Sequence, residues 1–288
     1  MALESARALV DAGFRVVVTV PGPGPHPGDD PCGATVIELP VPVVRRGLLS
    51  PGTCPVGWGV VGGLGPMWRL VRKVSPAVIL VNTVTAPLWF VLARVARRRV
   101  VCHVHEAEAM TSRVLRAALY RPLMLCQRVV ANSRVTLDVL RGAAPSVARR
   151  TSVVHNAVVG PPALAPARVV PAPPARVLYV GRLSHRKGPH VVLEAARILS
   201  ERGRDVSVDL VGAVFPGNEG YESTLRQQVA ESGLDGKVRF HGFQADVWGF
   251  LEDADLVIVP SVLDESFGNT AVEAALSARP LIVSGIRG

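Results

Sequence analysis

The chain has little cysteine, little lysine and no long unbroken apolar run. Its four cysteines, Cys32, Cys54, Cys102 and Cys126, form no CxxC pair and no metal-ligand spacing. That excludes a disulfide framework and predicts a reduced, cytoplasmic setting. The uncharged, largely apolar stretch 77–93 is interrupted by Asn82, Thr83, Thr85 and Pro87. It reads as a strand, a polar loop and a helix opening near Pro87 rather than a membrane span. The first residues show no basic-then-apolar leader and open inside an amphipathic helix. Basicity alone would suggest nucleic acid, but no platform of interleaved aromatic and basic residues supports it, so no nucleic-acid partner is expected.

What is present is 288 residues with 49% apolar content, enough for two ordinary α/β domains with their own cores. The formal net charge of +9 is unevenly placed. Residues 1–160 hold 19 Lys/Arg against 8 Asp/Glu, whereas residues 161–288 hold 13 against 15. Only Lys73, Lys187 and Lys237 are lysines. Two halves of such different charge predict two different jobs. In the basic half, "MWRLVRKV" and "SRVLRAALYRPLMLCQ" mix arginines with large apolar residues. Two readings stand: interfacial helices that touch an anionic membrane or acceptor, or core-facing helices with solvated arginines.

Along the chain, helix and strand alternate. "ESARALVDAGF" reads as a helix closed by Gly13 and "RVVVTV" as a strand. The loop "PGPGPHPGDDPCG" follows; its prolines remove the amides that a phosphate-binding glycine loop needs. Strands at "AVILV", "VVCHVH", "RVVA" and "TSVVH" alternate with helices, which implies a parallel sheet. A Pro/Ala-rich stretch without periodicity then interrupts, and the pattern restarts at "RVLYVG". The expected organisation is a Rossmann-like domain over 1–162, a linker over 163–175 and a second Rossmann-like domain over 176–288. Ligands of such sheets bind at the carboxyl ends of the strands, so the strand-to-helix loops are the place to look.

The first loop of the second half is "VGRLSHRKGPH". Gly181 lets the backbone turn, and Arg182 and Lys187 flank a helix start with Pro189 in its first turn. Both cations read as exposed loop residues, and together with the helix start they make an anion site. Further on, "ESFGNTAVEA" leaves the buried strand "DLVIVP" through a Phe-Gly-Asn turn, with Glu265 and Glu273 eight positions apart. The "DAD" of residues 253–255 closes a helix and enters that buried strand, which favours a structural role over a metal-binding one. No metal site is expected.

"GRLSHRKG", "FHGF", "ADLVIVPS" and "ESFGNTAVEAA" occur in an order and at spacings that resemble the retaining glycosyltransferases of family 4, also called group 1. The resemblance is strong over 177–283 and looser over most of 1–160. It implies a GT-B fold, two Rossmann-like parallel-sheet domains facing a cleft, and transfer of a sugar from a UDP- or GDP-sugar without a cofactor. The implied acceptors are a glycan, a lipid-linked sugar or a small molecule. By the same resemblance, Glu265 accepts from donor sugar hydroxyls, and Gly181 with the backbone of Phe267, Gly268 and Asn269 faces sugar and diphosphate. Glu273 grips the ribose, Arg182 and Lys187 neutralise the diphosphate, and His105 in "VCHVHEAEAM" meets the donor sugar. His103, inside its strand, reads as structural, and Asn156 stays open between structural and functional roles.

Members of the family usually begin with a strand and a glycine-rich loop ahead of the first helix, and continue beyond "SGIRG". The expectation is therefore a chain truncated at both ends and poorly active as it stands. Two other classes share the pattern: a sugar-nucleotide epimerase and a non-catalytic sugar-nucleotide-binding subunit.

Overall fold

The computed structural model describes residues 2–22, 33–39, 41, 56–106 and 113–287. Most of the Pro/Gly-rich loop after the first strand, with Cys32, lies outside them, as does Cys54. The chain divides into two compact units, residues 1–157 and 158–288.

Unit 1 runs α1 (Ala2–Asp11), β1 (Val17–Val20), β2 (Thr35–Glu38), α2 (Val56–Val74), β3 (Val78–Val81), α3 (Leu88–Val95) and β4 (Arg99–Val104). It continues with α4 (Arg113–Tyr120), β5 (Arg128–Ala131), α5 (Arg134–Ala143), α6 (Pro145–Ala148) and β6 (Thr151–Val153). Strands β3, β4, β5 and β6 form a parallel sheet in that order, and β1 pairs with β2 in a separate parallel pair. On β4 the burial alternates: Val100, Cys102 and Val104 are fully buried, while His103 and the following His105 are not. Period-two alternation thus sends the apolar side chains to the core with Phe90, Tyr120 and Leu123, and the histidines to the other face. The helix expected through "SRVLRAALYRPLMLCQ" breaks at its proline: α4 ends at Tyr120 and a 3-10 turn spans Arg121–Leu125.

Unit 2 runs β7 (Ala175–Val180), α7 (Pro189–Glu201), β8 (Val206–Val211), α8 (Glu219–Glu231), β9 (Val238–Gly242), α9 (Trp248–Asp253), β10 (Leu256–Val259), α10 (Asn269–Leu276) and β11 (Leu281–Val283). The five strands are parallel in the order β11-β10-β7-β8-β9. Strand order reverses between β7 and β10, so the crossovers that leave these two neighbours run in opposite directions along the sheet. Such a switch point opens a crevice at the carboxyl ends of the strands.

The Pro/Ala-rich stretch ahead of β7 is anchored to unit 2. The buried Arg279 donates to the carbonyl of Ala165 at 2.7 Å. Arg168 Nε lies 2.8 Å from the buried Asp255 Oδ1, a charge contact, and the amide of Arg176 donates to Asp255 Oδ2 at 2.8 Å. Asp253 pairs with Arg176 at 3.4 Å. Both acids of "DAD" thus contact the chain around the entry to β7.

Candidate functional site

The switch point of unit 2 brings together the loop after β7, residues 181–188, and the loop after β10, residues 260–268. One glycine makes that approach possible, and a second seats the loop after β7 against the end of β8. Gly188 has φ +71°, and a Cβ there would meet the Pro260 carbonyl oxygen at 2.1 Å. A Cβ on Gly212, after β8, would meet the Gly181 carbonyl oxygen at 1.9 Å. Backbone bonds fix both contacts: the Gly181 amide donates to Val211 O of β8 at 2.9 Å, and the Val262 amide donates to Arg186 O across the two loops at 2.9 Å.

This packing seats the charged side chains. Lys187 Nζ lies 2.7 Å from Glu265 Oε1 and 2.8 Å from Oε2. Ser261 Oγ donates to Glu265 Oε1 as well. Glu265 is buried, at 8% exposure, so a carboxylate there needs partners. Burial works against its charge, but the Lys187 and Ser261 hydrogen bonds, with the charges of Lys187 and Arg186, prevail and hold it below the usual carboxylate range. The loop is braced further by the Glu265 amide on Arg287 O at 2.8 Å and by an Arg287–Asp264 ion pair at 2.7 Å.

The expectation that Lys187 is an exposed loop residue needs correcting, because its ammonium is drawn into the buried pair and its side chain is 29% exposed. Arg182 is exposed as expected, and its guanidinium stacks on Phe215 at 3.6 Å from the ring centre. Its carbonyl accepts from Tyr179 at 2.7 Å. Gly268 adopts φ +84° and caps α10, whose first residue is Asn269; Phe267 precedes the cap and is partly buried. Glu273, one turn into α10, is partly buried; burial raises its pKa, and the charge of Lys187 opposes the rise.

Gly181, Arg182, Lys187, Glu265, Phe267, Gly268, Asn269 and Glu273 therefore all sit on or beside the two switch-point loops, with Lys187 and Glu265 in direct contact. Ser261 and Arg186 were not singled out from the sequence. Ser261 follows the buried strand in "VIVPS", four residues before Glu265, and that spacing was the available signal. His241 of β9 is held by Asp209 at 2.6 Å, which also takes Arg239 at 2.8 Å.

His105 belongs to unit 1, where it follows β4. Its ring lies 4.0 Å from that of His103, and each has a buried nitrogen without a partner, Nδ1 of His105 and Nε2 of His103. Burial, then the neighbouring His103, lowers the His105 pKa to about 4, so the imidazole is neutral at pH 7. Glu106, beside it, was not singled out from the sequence. Its carboxylate accepts from Thr83 Oγ1, from the Val84 amide at 3.4 Å and from the His105 amide at 3.2 Å. It thereby ties the exit of β3 to the exit of β4. Among the described residues, no group of three His, Cys, Asp or Glu side chains could hold a metal ion.

Residues 165–288 match the family model of glycosyl transferases group 1, and residues 1–159 match that of Glycosyltransferase Family 4. The chain belongs to the family 4, group 1 glycosyltransferases. Among curated relatives of this glycosyltransferase, the 2-deoxystreptamine glucosyltransferase of Streptomyces kanamyceticus is 27% identical over 321 residues, covering 99% of this chain and 80% of that protein. The D-inositol 3-phosphate glycosyltransferase of Corynebacterium urealyticum is 35% identical over 114 residues, 38% of this chain and 27% of that protein. Anabaena HepE, solved with UDP and glucose, superposes with a TM-score of 0.76 at 22% identity, covering 100% of this chain and 78% of that one. Sucrose-phosphate synthase from Thermosynechococcus elongatus gives 0.75 at 20%, with 99% and 75% covered. At such identities the likeness carries the fold, which is GT-B.

Proposed function

We propose that this glycosyltransferase is a retaining hexosyltransferase that moves a sugar from a UDP- or GDP-sugar to a hydroxyl of a glycan, a lipid-linked sugar or a small molecule. The observation that carries the reading is Glu265, buried and held ionised by Lys187 and Ser261 at the switch point of unit 2. Support comes from the relatives: HepE was solved with UDP-glucose, and the Streptomyces enzyme that aligns along 99% of this chain is named for glucosyl transfer to 2-deoxystreptamine.

The chemistry follows from the side chains. An ionised carboxylate accepts from neutral hydroxyls without moving a proton, so Glu265 orients the donor sugar. As the bond from the anomeric carbon to the diphosphate breaks, negative charge grows on the leaving oxygen. Arg182, Lys187 and the α7 N-terminus offset it, an electrostatic contribution that is usually the largest in such sites. Lys187 has three N–H donors, so it can keep Glu265 while reaching a phosphate oxygen. Glu273 takes the ribose hydroxyls, and the backbone of Gly181, Phe267, Gly268 and Asn269 faces the sugar diphosphate. His105 is assigned to a donor sugar hydroxyl on the resemblance alone; its neutral ring can donate and accept. The acceptor oxygen attacks the face that the diphosphate leaves, and its proton passes to a phosphate oxygen of the leaving group.

The test is a panel of UDP- and GDP-sugars with 2-deoxystreptamine, inositol 3-phosphate and simple glycans as acceptors. Released nucleotide is counted, and the anomeric configuration of the product is read by NMR. Transfer with the donor's configuration kept supports the proposal, and an inverted anomer contradicts the retaining mechanism. An epimerised sugar nucleotide formed without acceptor would show an epimerase, and binding without turnover a non-catalytic subunit.

A further inference from the structure

We infer that the end of unit 1 built by the C-termini of α2 and α3 docks on an anionic lipid bilayer. Between Glu38 and Glu106 the sequence holds no acidic residue. Within that span the fold gathers seven cations at one place. Arg69, Arg72 and Lys73 lie on the last turns of α2, Arg94 on the last turn of α3, and Arg97, Arg98 and Arg99 on the entry to β4. All but Arg98 are exposed, and none of the seven forms an ion pair with a described residue. Arg98 instead donates to Ser75 Oγ at 2.7 Å, joining the two helix ends.

The ordinary explanation for basic residues here is the helix dipole, which favours cations in the last turn. It accounts for Arg72, Lys73 and Arg94. It does not reach Arg97 and Arg99, which lie beyond the helix, and it does not explain why no acid is interspersed. Clustered like charges repel, and an ordinary solvated surface relieves that with mixed signs. A partner of opposite charge relieves it here.

The shape and the apolar residues point to a bilayer. Trp68, Arg72, Val95, Arg97 and Arg98 line a concavity of about 240 Å³, wide enough for a lipid phosphate between guanidinium groups. Val95 is 65% exposed and Val91 46%, so apolar side chains stand beside the cations. Basic residues with an exposed apolar rim are the signature of peripheral, two-signal membrane binding. Among the described residues no helix is long and apolar enough to cross a membrane. The topology fits as well. Both helix ends lead into the amino ends of β3 and β4, about 20 Å from His105 along the six residues of β4. Docking there leaves the carboxyl ends of the strands free. In the stretch after α4, residues 121–126 and part of the other candidate from the sequence, Leu123 and Cys126 are buried in the core, and Arg121 and Met124 alone stand exposed, without a second cation in the stretch.

The test is co-sedimentation of the whole chain with phosphatidylglycerol-containing vesicles and with pure phosphatidylcholine vesicles, at low and high salt. The chain is expected to bind the anionic vesicles at low salt and to leave them at high salt. Replacing Arg69, Arg72 and Arg97 by Gln should lower the partition coefficient on the order of 100-fold, about fivefold per cation. A control triple of equal charge change, Arg149→Gln, Arg202→Gln and Arg204→Gln, should lower it less than fivefold. Should the first triple melt early, Val95→Glu probes the same surface, with about tenfold weaker binding expected from a charge brought to the interface. No preference for anionic lipid, or equal loss in both triples, overturns the inference. So does displacement by millimolar inorganic phosphate at constant ionic strength, which would assign the concavity to a small free anion.

Discussion

The two units hold polar groups at the carboxyl ends of parallel strands in opposite ways. In unit 2 Lys187 pairs with Glu265 and Arg287 with Asp264, while Arg186 donates to the Asp264 carbonyl and Arg182 stacks on Phe215. In unit 1 the carboxylate of Glu106 is saturated by its own strand exits, while His103 and His105 each keep a buried ring nitrogen without a partner. Unit 2 has therefore fixed, before any ligand arrives, the charges that the proposed function assigns to a diphosphate sugar. Unit 1 keeps neutral hydrogen-bonding capacity, which suits an uncharged hydroxyl. The first arrangement depends on ion pairs and the second on burial, so different perturbations should break them.

Lys187→Ala should have the largest effect. It removes a cation from the proposed leaving-group site, so kcat should fall roughly 10²–10³-fold. It also strands the Glu265 carboxylate, which should cost about 2 kcal/mol in a urea melt. Because the folded pKa of Glu265 lies below its unfolded value, the pair stabilises the wild type above the usual carboxylate range. That stability fades as pH falls through the depressed pKa. The variant should lose this acid-dependent part, and an unchanged acid limb in its melts would remove the ion pair from the account.

Gly188→Ala tests whether the approach of the two loops builds the site. With φ +71° and the Pro260 oxygen at 2.1 Å from the new Cβ, the backbone must move. We expect a loss of about 3 kcal/mol and impaired nucleotide binding. Gly203→Ala, also left-handed but with open space around it, should cost only about 1 kcal/mol. Equal costs would mean that the close approach contributes nothing.

Glu273→Ala should weaken UDP and UDP-sugar alike, by about 1.5–3 kcal/mol, as loss of a charged hydrogen bond to a common moiety would. An effect on the sugar nucleotide alone would move Glu273 away from the ribose. The smallest effect belongs to unit 1. His105 titrates at about 4 when folded, against about 6.5 unfolded, so the unfolded chain binds more protons between those values and stability rises with pH across that window. NMR titration should place His105 near 4, and His105→Asn should flatten the slope of stability over that interval. An ordinary histidine value would show that burial does not keep the ring neutral.

Much of this was legible in the sequence, for reasons that particular residues make clear. Strands such as "RVLYV" and "SVDLV" are β-branched and bounded by glycine, and helices such as 189–201 carry a 3.6-residue apolar period, so type and order could be read. Strand β2 was missed because four residues between Gly33 and Pro40 carry too little pattern to separate a strand from loop. The motif spacings placed Lys187 in the loop after β7 and Glu265 in the loop after β10, where the structure has them. Their ion pair was not legible, because it joins residues 78 positions apart and depends on Gly188 letting the backbone touch that of Pro260. The same holds for the basic end of unit 1: α2 and α3 each show their arginines, but only the fold puts the two ends side by side.

On the proposed function, Glu265, held ionised by Lys187, reads the sugar of a nucleotide sugar and not the nucleotide. Calorimetric titration of UDP and of UDP-glucose into the wild-type chain and into Glu265→Ala tests it directly. The variant should bind UDP within about twofold of wild type and UDP-glucose at least tenfold more weakly, as loss of a charge-assisted hydrogen bond implies. Equal losses for both ligands, or no loss for either, would contradict it.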